Sequence, residues 1–167
     1  MLNSSIYSSL LYLIPLALLI LVIRLIQHNY KPTNKLDYQR LPALFTNSEI
    51  AFMKSLHIAV DGKGSIFGKV RIADVLEPTK GLSRSNWQTS FNKIAMKHFD
   101  FVICNNDDLS IICAIELDDK SHNKRDRIER DIFVNSACES ASFPLVRFKA
   151  SSSYKISDLQ NKLSSFL

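Results

Sequence analysis

At 167 residues the chain has room for one membrane segment and one compact domain. Its 21 Lys and Arg against 16 Asp and Glu give a formal net charge of +5, but four of those bases and one acid fall in residues 1–40, leaving 17 and 15 for the rest. The basic balance is therefore no evidence by itself for nucleic-acid binding, which would need a local patch, with Lys63, Lys69, Arg71, Lys80 and Arg84 as candidates.

In chain order, residues 1–26 are predicted as a transmembrane anchor. Ile6 to Ile23 carry no charge and are about long enough to span a bilayer core as a helix, and Pro15 is tolerated there. A cleaved signal peptide needs a basic start and a small-residue cleavage site, and neither is present. Arg24, Lys31, Lys35 and Arg40 follow the span, so the positive-inside rule places the C-terminal part in the cytoplasm. Three cysteines, Cys104, Cys113 and Cys138, sit in apolar patterns and read as buried thiols of a reducing compartment.

Residues 27–43 read as a linker and 44–167 as one α/β domain. Thr46-Asn-Ser-Glu49 is a capping box opening a helix through Val60. After a turn at Asp61–Gly64, Ser65 to Leu76 reads as a long strand, with Ile66, Val70 and Ile72 inward. Ser85 with Gln88 caps a second helix whose one face carries Trp87, Phe91, Ile94 and His98, with Trp87 and Phe91 expected in the core. Phe99–Cys104 and Leu109–Ile115 are apolar runs joined by the turn signal Asn105-Asn-Asp-Asp108, hence a hairpin. A third helix runs from Asn123 or Lys124 to about Ser142, then a short strand Pro144–Lys149 and a closing helix Ser157–Phe166. This order predicts a mixed central sheet flanked by helices and preceded by one transmembrane helix.

The chemistry is concentrated at Ala114-Ile-Glu-Leu-Asp-Asp-Lys-Ser-His122, where an apolar strand runs into carboxylates, a lysine and a histidine. Alternation puts Glu116 and Asp118 on one strand face. Asp100 lies inside an apolar strand, where an unpaired charge is costly. With an odd hairpin loop Asp100 lies opposite Ala114 and diagonal to Glu116, close enough for both to lean toward one divalent cation. With an even loop it lies on the other face.

The words Phe99-Asp100-Phe101, Glu116-Leu117-Asp118, Ser121-His122, Arg130-Asp131 and Leu145-Val146-Arg147, in that order, resemble the PD-(D/E)XK restriction-endonuclease-like superfamily. They look most like a bacterial branch, domain of unknown function 2726, related to very-short-patch repair endonucleases. The resemblance covers roughly residues 44–150. It leaves the anchor outside and implies phosphodiester hydrolysis of nucleic acid with Mg²⁺ or Mn²⁺ in a bacterial protein; with the predicted anchor over residues 6–26, the expectation is a single-pass protein of the bacterial inner membrane. By that resemblance Asp100 and Glu116 are metal-binding acids and Glu49 a helix-borne acid assisting them, unless it serves as a cap alone. The pattern departs at the lysine expected two residues after Glu116, which is Asp118. Asp118 could add a ligand, Lys120 could reach back, and His122 could act as general base or ligand. Arg130 is expected to pair with Asp118, touch a phosphate, or lie on a solvated face. Arg147 could face the nucleic-acid backbone or guard an edge strand. The alternative function is a nuclease-fold module without catalysis, binding nucleic acid or protein at the membrane.

Overall fold

The computed structural model describes residues 15–25, 37–118 and 125–167, with the side chains of 125–127 outside that description. The chain divides into two units, Met1–Pro42 and Ala43–Leu167.

In the first unit, α1 covers residues 15–25. Eleven residues rise about 16 Å at the helical repeat, roughly half of a 30 Å hydrocarbon core. Among the described residues no helix is long and apolar enough to cross a membrane. The expected single-pass anchor over 6–26, and with it the inner-membrane location, is corrected on that ground.

The second unit is a mixed α/β fold. Its elements are α2 (Asn47–Val60), β1 (Ser65–Arg71), a 3₁₀ turn (Ile72–Asp74), α3 (Arg84–Ala95), β2 (His98–Cys104), β3 (Ile111–Asp118), α4 (Arg125–Ser140), β4 (Leu145–Lys149) and α5 (Ile156–Leu163). The sheet runs β1-β2-β3-β4, antiparallel except for the parallel β3–β4 pair, which the α4 crossover requires.

Two cores flank the sheet. Phe52, Leu56 and Val60 of α2 and Leu159 and Leu163 of α5 pack against Phe101, Ile103, Cys113 and Ile115. On the other face Ile94 of α3 and Val134 and Cys138 of α4 cover Val102, Cys104 and Ala114. All three cysteines are free and buried.

Several local expectations shift. The first strand stops at Arg71 rather than Leu76, because Ile72 turns inward, its N–H bonds to the Lys97 carbonyl, and Arg71 pairs with Asp74. Helix α3 is capped by Ser83, whose hydroxyl accepts the Asn86 N–H, not by Ser85. His98 opens β2 instead of ending α3, and Trp87 stays 38% exposed, stacked on Phe91 with ring centres 5.1 Å apart. The capping box at Thr46 and Glu49 is formed as the sequence predicts.

Candidate functional site

The hairpin register decides which charges meet. Val102 pairs with Ala114 and Phe101 with Ile115, so Asp100, one step further, faces Glu116 and not Ala114. The backbone ladder ends there, and the Asp100 carboxylate accepts the Leu117 N–H at 2.8 Å instead. On the other side of β2, the pairs Gly68–Phe101 and Val70–Phe99 bracket Lys69 and Asp100, while Glu116 pairs with Arg147 on β4. One charged residue from each strand, Lys69, Asp100, Glu116 and Arg147, thus forms a row across the sheet.

Lys69 has a left-handed backbone, φ 56°, unusual for a residue with a side chain inside a strand. It reverses the facing of β1: Ile66 packs into the α2 core and Val70 into the α3–α4 core. Its amine ion-pairs with Glu49 and lies 3.7 Å from Asp100 Oδ1. Gly68, just before it, has the Phe45 ring against its backbone, where a Cβ would come within 2.2 Å of that ring. Phe45 in turn stacks on Phe101 and precedes the Thr46 cap, so one aromatic ring fixes both the start of α2 and the β1 residue that reaches Asp100.

Glu49 makes the cap that the sequence predicts and an ion pair with Lys69 that it does not. Its carboxylate accepts the Thr46 N–H at 2.7 Å, completing the cap, and also holds Lys69. Burial pushes its pKa up, but the bonds from Lys69 and Thr46 outweigh this and leave it below the ordinary value. Asp100 goes the other way. Burial dominates over the Leu117 N–H and the Lys69 charge, so its pKa is raised.

Among the described residues Glu116 is the most deeply buried acid, with its side chain 4% exposed. Burial first, and then the neighbouring Asp100 charge, push its pKa up to about 7. Arg130 of α4 lies 3.5 Å from Glu116 Oε2 and donates to the His98 carbonyl at 3.2 Å. Glu116 Oε1 is buried with no hydrogen-bond partner among the described residues.

Arg130 therefore meets Glu116, not Asp118. Asp118 is taken by Arg147, whose Nε also donates to Asn135 at 3.0 Å and whose other nitrogen lies 3.6 Å from Asp131. Arg147 is thus an internal clamp between β3 and α4. Lys120 and His122 fall outside the described residues. Lys69, expected only as part of a surface patch, is the site residue whose role the sequence hid. Its αL conformation depends on distant packing, and no local signal marks it.

An open cleft of about 540 Å³ leads to Asp100, lined also by Lys69, Lys97, His98, Arg130, Leu44 and Met96. Its charged groups are mainly cationic, so it suits an anionic ligand, with Asp100 as its one carboxylate among the described residues.

Among the described residues no group of three or more His, Cys, Asp or Glu is placed to hold a metal ion. The four-acid set Glu49, Asp100, Glu116 and Asp118 is divided, since Lys69 holds Glu49 and Arg147 holds Asp118. What fits a cation is the facing pair Asp100 and Glu116, with its raised pKa values and an orphaned carboxylate oxygen. Mg²⁺ is commonly held by one or two carboxylates, with water and substrate phosphate completing the shell.

The profile of the family described as "protein of unknown function (DUF2726)" matches residues 42–166. The chain belongs to this family. The match covers the whole α/β unit except its last residue, Leu167, and takes in only the last residue, Pro42, of the first unit. No curated protein and no solved structure matches the chain.

Proposed function

We propose that this DUF2726 protein hydrolyses nucleic-acid phosphodiester bonds with Mg²⁺ or Mn²⁺, as a member of the PD-(D/E)XK superfamily related to very-short-patch repair endonucleases. The observation that carries the reading is the carboxylate pair Asp100 and Glu116 on facing strands, with one Glu116 oxygen unpartnered among the described residues and Asp100 lining a cleft with Lys69, Lys97, His98 and Arg130. Burying two acids side by side is costly without a cation to share.

A bound divalent ion would polarise a phosphate oxygen and acidify the attacking water. Glu116 would hold it through Oε1 and Asp100 through Oδ1, the oxygen that Lys69 approaches at 3.7 Å. Arg130 steadies Glu116 by its 3.5 Å contact and leaves Oε1 open. The cationic cleft would bind and orient the diester. Water oxygen bonds to phosphorus as the ester P–O bond breaks, the water proton leaves to solvent, and the departing oxygen takes a proton from solvent.

The purified full chain should cleave labelled DNA or RNA in Mn²⁺. Removing one electrostatic stabiliser typically costs 10²–10³ in rate, so Glu116→Ala should lose at least about a hundredfold. Metal-dependent cleavage that survives in a D100A/E116A double variant would defeat the reading.

A second reading, a binding module without catalysis, is favoured by one observation. The residue two after Glu116 is an acid already neutralised by Arg147. It predicts salt-sensitive nucleic-acid binding with no turnover in Mn²⁺.

A further inference from the structure

Hydrolysis of a phosphodiester beside two carboxylates builds up negative charge on the phosphoryl oxygens, and a fixed cation next to the pair offsets it. The strand that supplies Glu116 offers none at the expected place. Asp118 stands there, and its charge is spent on Arg147. Strand β1, which flanks the Asp100 strand on its other side, does offer one.

Lys69 faces Asp100 across the β1–β2 ladder, with its amine 3.7 Å from Oδ1 and also paired with Glu49. Its side chain is about one-third exposed and lines the cleft that leads to Asp100. Its backbone is held left-handed by its surroundings, with Gly68 pinned under Phe45 immediately before it. A non-glycine residue kept in that region costs energy, and such outliers persist where neighbouring packing over-determines them. Here the outlier reverses the facing of β1 at the point where the amine meets the acids.

We propose that Lys69 is the ammonium group of this site. In the complex its amine contacts a non-bridging phosphate oxygen of the diester held at Asp100 and Glu116, serving in place of the lysine absent two residues after Glu116. The inference rests on the nuclease reading above.

The test uses the full chain with Mn²⁺, followed by calorimetric titration of Mn²⁺ and by cleavage of bis(p-nitrophenyl) phosphate and labelled DNA and RNA oligonucleotides. K69M should lose cleavage by about a hundredfold or more while still binding Mn²⁺. K69C should regain activity when alkylated with 2-bromoethylamine, which rebuilds an amine at nearly the lysine position; wild type treated alike is the control. K69G guards against misfolding, because glycine adopts the left-handed backbone freely, and should show the same loss with a cooperative melt. Cleavage by K69M at the wild-type rate overturns the inference and leaves the nuclease reading intact. Joint loss of cleavage and Mn²⁺ binding in both K69M and K69G also overturns it, since the lysine would then only shape the metal site. A wild-type chain that neither binds Mn²⁺ nor cleaves overturns the nuclease reading, and this inference with it.

Discussion

At the scale of single residues, the decisive group is Glu116. Its folded pKa of about 7 lies above the ordinary 4.5, so the folded state holds the proton more tightly than the unfolded chain does. The resulting stability is fully present below about pH 4.5 and is lost as pH rises through 7. Glutamine imitates the protonated form at every pH. Glu116→Gln should therefore be more stable than wild type at pH 8 by about 2–3 kcal/mol, with the gap closing near pH 5. Thermal melts across that range would show a pH-dependent difference, and a constant difference would contradict the burial argument. Mn²⁺ at pH 8 should raise the melting temperature of wild type and not of the variant.

At the scale of elements, β1 is where local pattern and tertiary packing part company. Ile66, Val70 and Ile72 read as one alternating face, yet Ile66 and Val70 enter opposite cores and Ile72 leaves the strand. The cause is the left-handed residue at 69, set by the ring of Phe45 against Gly68. A methyl group at Gly68 would collide with that ring, so Gly68→Ala should cost about 1–3 kcal/mol, read as a lower denaturant midpoint with an unchanged m-value. By contrast the Thr46–Glu49 box is legible, because its chemistry lies within four residues. The choice of Ser83 over Ser85 as a cap is not, since both serines offer the same oxygen and tertiary packing selects between them. Hairpin parity is likewise unreadable. The irregularity between Ile103 and Cys104 shifts the register, and so sets Asp100 against Glu116.

At the scale of the molecule, residues 41–167 are near neutral, so the proposed nucleic-acid binding would draw on the cations of the cleft rather than on the overall charge. Lys69, Lys97 and Arg130 are its permanent cations. With each phosphate contact worth about 0.7–0.9 in slope, a plot of log binding constant against log salt should fall with slope about −2 to −3 for the E116A chain. A slope near −8 would place the contacts elsewhere. The acids Asp100 and Glu116 were visible in the sequence as charges interrupting apolar strands. The partners of Arg130 and Arg147 were not, because α4 meets the sheet through long-range packing that no spacing rule encodes.

The three cysteines lend the fold a further property. Burial holds the thiols of Cys113 and Cys138 up to about 12 and about 11, and raises that of Cys104, so little thiolate forms near neutral pH. They sit on β3, α4 and β2, three elements that surround the acid pair. Oxidants and electrophiles therefore find a reactive sulfur only once the sheet itself has opened, which makes chemical damage a consequence of unfolding rather than a cause of it.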